Sequence, residues 1–361
     1  LLPRIQAADF SLVNLEAPLS SSGQPAVKSG SVFKGKKTHV KALEAVPFSG
    51  VTLANNHVLD YGPRAFDETL KALDQAKIKR VGAGRNRDEA FTPLVLRKNG
   101  LRIGIVNFSE AEDMTHARSD GPGVAGWDLD RLEARIRMLR EKVNCIVAIA
   151  HCGIEYIPFP PPYVNQAFER MADAGADIVI GHHPHVPQGV RLYGRVPIFF
   201  SQGNFVFYQP TDLRFRKLGY TLELKVGREG LISVQAIPYG IKDDGLELLK
   251  ERAKAEFFSI FKEISLPLQS PATLDQAWHA FLCYYGKQGF LNEIETIIIR
   301  LKTRPRKGAA MMRNRLTTLQ HFHHWKDVMT GIMGETLKDP VEWADRIIKQ
   351  YMTDTGKIFF E

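Results

Sequence analysis

The stretch Ile178-Val-Ile-Gly-His-His-Pro-His185 constrains this chain more than any other. Its short apolar run reads as a buried strand, and it passes through Gly181 into three histidines within four residues. In an extended segment alternate side chains point the same way, so His183 and His185 present both rings to one side of a strand's end. Neutral imidazole is the commonest metal-ligating side chain, and this pair suits a site shared by two metals. Two rings do not complete such a site. Further oxygen or nitrogen donors must come from elsewhere, and without them the stretch is only a polar turn rich in histidine.

The rest of the chain repeats the pattern of strand followed by polar loop. Residues 8–15 alternate enough to be a strand, which delivers Asn14 and Glu16 to a loop broken by Pro18. Residues 50–53 lead into Asn55, Asn56, His57 and Asp60, and residues 145–150 end in His151, with Glu155 just beyond. A weaker repeat runs through residues 197–200 to Asn204. Phe66, Leu70 and Leu73, like Leu132, Ile136 and Leu139, stand at helical spacing, so residues 63–76 and 128–142 read as amphipathic helices between strands. Asn99-Gly100 between two apolar runs is a two-residue hairpin signal, and residues 218–226 and 231–237 form a second hairpin. Beyond residue 244 the texture turns helical, with helices expected over 246–264, 273–285, 290–301, 313–333 and 340–351 and no strand until the tail. The expected organisation is an α/β domain over 1–244 followed by a helical domain or cap over 245–361.

Composition narrows the chemistry. Cys145, Cys152 and Cys283 are an odd set without framework spacing, which argues against a disulfide scaffold. A net charge of +8 favours anionic ligands or surfaces. Nothing reads as an aromatic stacking platform amid basic residues, so no nucleic-acid partner is expected. No apolar run is long enough to span a bilayer, and no signal peptide is evident. The start at Leu1-Leu2-Pro3 reads like the middle of a domain, so an upstream strand, anchor or leader is expected; an anchor would place the protein at the cell envelope, and its absence in the cytoplasm. The basic run over residues 300–307 is either a contact for acidic lipid or polymer or a solvated loop between helices. His321, His323 and His324 lack a carboxylate or cysteine at ligand spacing and read as surface or packing residues.

Four strand ends thus present Glu16, Asn56 with His57, His151, and His183 with His185. Oxygen and nitrogen donors without thiolate suit one or two ions of Mn, Fe or Zn, and a shared carboxylate can bridge ions about 3.5–4 Å apart.

The phrases Asn14-Leu-Glu16-Ala-Pro18, Ala54-Asn-Asn-His57 with Asp60 and Gly62, His151-Cys-Gly-Ile-Glu155-Tyr156, Gly181-His-His-Pro-His185 and Gly203-Asn-Phe-Val-Phe207, in this order, resemble the CapA family of poly-γ-glutamate capsule synthesis proteins. That family resembles the calcineurin-like metallophosphoesterases. The resemblance implies a four-layered αββα sandwich of two mixed sheets, here with a C-terminal helical extension. By it, Asn56, His151, His183 and His185 are metal ligands, Glu16 stands where a bridging carboxylate is expected, and His57 faces the substrate. The opening Gly-Asp phrase of the family's first strand is absent, and Cys152 stands where the family usually has Trp.

Asp60, three residues after His57, either orients that ring by accepting its second N–H or caps the helix that begins near Pro63. Glu155 is a supporting residue, a general base or a solvated loop carboxylate, and His182 is structural, with Asn14 and Asn204 supporting the ligands. The resemblance implies a metal-dependent hydrolase or transferase acting on a phosphoester or a γ-amide of an anionic polymer. The competing expectation is a non-catalytic assembly component of a capsule-synthesis complex, with a membrane surface as a possible neighbour.

Overall fold

In the computed structural model, which describes residues 1–110 and 112–358, Asn99 (φ 52°) and Gly100 (φ 78°) both adopt the left-handed conformation that a two-residue hairpin turn requires. The turn joins strands Leu94–Lys98 and Leu101–Ser109, which pair antiparallel. The second of these pairs in parallel with Cys145–His151, from Ile103 opposite Cys145 to Ser109 opposite His151. A parallel neighbour needs a crossover, and the helix Leu129–Arg140 supplies it, burying Leu132, Ile136 and Leu139 and capped by the Asp128 side chain on the Arg131 amide. Every residue of Cys145–His151 is buried, as expected of a strand covered on both faces.

A second, wholly parallel sheet orders Leu12–Asn14, Gly50–Thr52 and Lys79–Val81. Its crossover helix, Gly62–Gln75, packs Phe66, Leu70 and Leu73 against Val51, Leu53, Val58 and Ile78. Each such side chain contributes about 1.5–3 kcal/mol by leaving water. The same helix ties down the loop after the first strand, because the Thr69 hydroxyl accepts from the Leu19 amide at 2.9 Å.

These elements belong to the first of two compact units, residues 1–151 with 292–322; the second comprises residues 152–291 and the chain from 323 onward. In the second unit Ile178–His182 pairs in parallel with Val196–Phe199, which pairs antiparallel with Val190–Tyr193. Leu218–Gly227, Gly230–Ile241 and Leu246–Leu248 form an antiparallel sheet. The chain is therefore α/β with parallel and antiparallel pairing, and its C-terminal part is helical.

The strand Leu246–Leu248 corrects the expected helix over 246–264. Three residues complete the edge of the hairpin sheet by pairing with Tyr239, Gly240 and Ile241, a tertiary partner that local periodicity does not register, and the helix begins only at Glu251. The expected helices over 273–285 and 290–301 run together as Pro271–Thr303 with a break at Gly286, whose φ of 59° is open to glycine. The expected helix over 313–333 is two, Pro305–Thr317 and Leu319–Met333. The basic run over 300–307 is not a loop but the end of one helix and the start of the next, turning at Arg304. No helix among the described residues is long and apolar enough to cross a membrane.

Candidate metal centre

In the first unit the chain leaves the strand Leu12–Asn14 under tight control. Asn14 Oδ1 accepts from Asn55 Nδ2 at 3.1 Å and from the Thr52 hydroxyl at 3.4 Å. Its amide nitrogen is thereby turned toward Glu16 and donates to Oε2 at 2.8 Å. The other carboxylate oxygen, Oε1, lies 3.5 Å from His151 Nε2. Asn56 Oδ1 lies 3.1 Å from the same ring nitrogen. Two acceptor oxygens thus converge on one nitrogen that carries at most one proton, an arrangement a divalent cation satisfies better than a hydrogen bond can.

The orientation of Asn56 has a cause that sequence reasoning missed. Its Nδ2 donates to Glu112 Oε2 at 2.7 Å, which leaves Oδ1 to face His151. Glu112 is held in turn by Asn314 Nδ2, 3.0 Å from its Oε1, and Asn314 is fully buried on the helix Pro305–Thr317. A signal was there to be used: Glu110 and Glu112 follow the strand Leu101–Ser109 in the same strand-then-carboxylate pattern as Glu16.

His57 sits beside this cluster on a buried ion pair. Its Nδ1 lies 2.7 Å from Asp60 Oδ2, which also accepts from the Phe33 amide at 2.7 Å. Asp60 Oδ1 accepts from Lys28 Nζ at 3.0 Å, and Lys28 also donates to the Asn56 carbonyl at 2.8 Å. Lys28 and Asp60 are only 5% and 1% exposed, so the pair is desolvated and each charge needs the other. Of the two readings of Asp60, the geometry matches the partner of His57; the helix Gly62–Gln75 is capped at Tyr61 with no side-chain bond. Lys28 carries no sequence signal, since it is one basic residue in a Ser- and Gly-rich loop. The Phe33 ring lies 4.6 Å from the His57 ring and covers one side of it.

The second unit carries the remaining donors. Gly181 is obligatory at the end of its strand, because a Cβ there would lie 2.0 Å from the Phe200 carbonyl oxygen. The chain then strains: His183 has φ 103° and His185 φ 59°, and nearby Tyr156 has φ 69°. Left-handed backbone at non-glycine residues costs on the order of 1–3 kcal/mol each and clusters at functional sites. Asn204 Nδ2 donates to the carbonyls of His185 and Arg216, at 3.3 and 3.2 Å. Its Oδ1 therefore faces His185 Nδ1, 2.7 Å away, so that nitrogen must donate. That tautomer leaves Nε2 with a lone pair for a metal, the usual arrangement of a ligating histidine and its supporting acceptor. Glu155 is half exposed and lies 3.8 Å from His185 Nε2, the long separation of a loosely held carboxylate. His183 is buried, with its ring centroid 5.9 Å from that of His185. His182 accepts from the Cys152 amide through its carbonyl, and desolvation lowers its ring pKa to about 4, so it is neutral at pH 7.

The first unit thus brings together Asn14, Glu16, Asn56, His57, Asp60 and His151, and the second Glu155, His183, His185 and Asn204. The C-terminal histidines pack as expected: His324 lies against Trp278, Phe281 and Tyr285, and His323 stacks on Tyr163 at 4.7 Å. His321 lies 3.7 Å from Glu112.

A family model described as bacterial capsule synthesis protein PGA_cap matches residues 1–209. The capsule biosynthesis protein CapA of Bacillus anthracis is 33% identical over 216 residues, covering 57% of this chain and 52% of that protein. The chain therefore spans about half the length of that relative. The PGA biosynthesis protein CapA of Bacillus subtilis (strain 168) is 29% identical over 269 residues, covering 71% of each chain. Among solved structures, a putative 5'-nucleotidase from Staphylococcus aureus in complex with alpha-ketoglutarate is 13% identical with a TM-score of 0.41, covering 63% of this chain and 44% of that one.

Proposed function

Because the chain belongs to the bacterial capsule synthesis protein family PGA_cap, we propose that it is a metal-dependent hydrolase or transferase acting on a phosphoester or a γ-amide of an anionic, polyglutamate-type substrate. The observation that carries this reading is the convergence of Glu16 Oε1 and Asn56 Oδ1 on His151 Nε2. The reading assigns metal to both donor sets: Glu16, Asn56 and His151 in the first unit, His183 and His185 in the second. A divalent ion so held supplies Lewis acidity and a bound water of lowered pKa.

The chain's own residues supply the rest. Asp60 accepts from His57 Nδ1, so Nε2 is the ring atom at which His57 exchanges a proton with the substrate, and it gives one to a leaving group only when the ring carries both protons. Lys28 pairs with Asp60 and holds its carboxylate in place, and so keeps the ring in one orientation. Phe33 shields that ring and excludes water from one side of it. A pure scaffold has no chemical use for a histidine held in this way, which favours the enzyme over an assembly component.

The test is turnover of phosphomonoesters and of γ-glutamyl amides by the metal-loaded protein, with His57→Ala alongside. The expected result is hydrolysis or transfer in the wild type and a loss of at least about a hundredfold in the variant, with metal content unchanged. Metal uptake with no turnover on either substrate class would favour the assembly role.

A further inference from the structure

Two arginines on one short turn meet opposite fates in the second unit. Both lie on the single turn Arg214–Lys217. Arg214 is neutralised, 2.8 Å from Glu256 and 3.8 Å from Asp354. Arg216 meets no carboxylate among the described residues; its guanidinium lies over the Tyr156 ring, 3.6 Å from the centroid, and it is only half-buried. The Tyr156 ring also stacks with His185, at 5.9 Å between centroids, and its hydroxyl accepts from Gln209 at 3.2 Å. Asn204 completes the arrangement, bonding the Arg216 carbonyl, the His185 carbonyl and the His185 ring together.

We propose that Arg216 is an oxyanion-binding residue, which receives the phosphate or carboxylate of a substrate brought to His185. A guanidinium lying over an aromatic face keeps its in-plane N–H donors at the edge, preorganised for bidentate contact with an oxyanion. An unneutralised arginine beside a histidine in strained backbone is a poor choice for stability and a good one for recognition. The backbone strain at Tyr156 and His185 places both partners of this contact at the same point. The inference deepens the functional reading above and rests on it, since it takes His185 as a metal ligand near the reacting group.

The experiment is calorimetric titration of the full chain, metal-loaded and after chelation, with inorganic phosphate and separately with a γ-linked glutamate oligomer. Wild type, Arg216→Gln and Arg216→Lys are compared, with metal content and melting temperature measured for each. Arg216→Gln is expected to keep its metal and its melting temperature and to lose at least about tenfold in affinity for one probe or both, the size of a lost charge-assisted contact. Loss with phosphate alone assigns the site to a phosphoester, and loss with the oligomer alone to a carboxylate polymer. Arg216→Lys should recover only part of the affinity, because a point charge cannot bind in bidentate fashion. Unchanged affinity in Arg216→Gln, no binding of either probe by wild type, or parallel loss of metal and melting temperature would overturn the proposal. Absence of metal from the wild type would instead refute the reading of His185, and the chelated arm would still judge Arg216 by itself.

Discussion

At the scale of single residues, Lys28, Asp60 and His57 behave as one unit, and substitution should reveal which of them bears the cost. Asp60→Asn leaves the Lys28 ammonium buried without its counter-charge and should destabilise the protein by about 3–5 kcal/mol in urea denaturation. His57→Ala leaves the ion pair intact and should cost less than about 2 kcal/mol. Equal losses would show that Lys28 is not held by Asp60. The candidate donors could be picked out in the sequence because each follows an apolar strand, where a polar residue has no packing role. The residues that aim them were not. Glu112, Asn314 and Lys28 act through contacts with residues remote in sequence, such as the 202-residue separation between Glu112 and Asn314, and no spacing rule encodes those.

At the scale of elements, the loop that follows the first strand is fastened to the helix Gly62–Gln75 through Glu68. Its carboxylate accepts from the hydroxyls of Ser22, at 2.5 Å, and Ser20, at 2.7 Å, and from the Ser21 amide at 3.1 Å. These bonds, led by Ser22, lower its pKa from 4.5 to about 2. A depressed acid pKa gives stability that is present above the unfolded-state value and is lost as pH falls through the folded-state value. The contribution of Glu68 should therefore fade between pH 4.5 and about 2. Glu68→Gln should flatten the stability profile in that window, as read by chemical denaturation at stepped pH, and an unaltered slope would contradict the assignment. Helices and long strands were legible from periodicity alone, as with Phe66, Leu70 and Leu73. Leu246–Leu248 was not, because three residues define a strand only through their partner.

At the scale of the whole molecule, the first unit gathers residues 1–151 and 292–322, so helices late in the chain complete a unit that begins it. Lys307 shows how this closure reaches the site: its ammonium donates to the carbonyls of Lys28 and Gly30, at 3.1 and 2.8 Å, and so steadies the loop that carries the buried lysine. A helical tail was legible as helix; its return to the first unit was not, because helical periodicity says which face is buried but not against what.

Whether Glu16, Asn56 and His151 hold a metal is measured by metal content in mass spectrometry on protein purified without chelators, with His151→Ala and His324→Ala as companions. Bound Mn, Fe or Zn is expected in the wild type and in His324→Ala, and a lower content in His151→Ala, with a melting temperature that falls on chelation of the wild type. A wild type that takes up none of these ions even when they are supplied, or a His151→Ala variant that binds as much as its parent, would contradict the metal assignment.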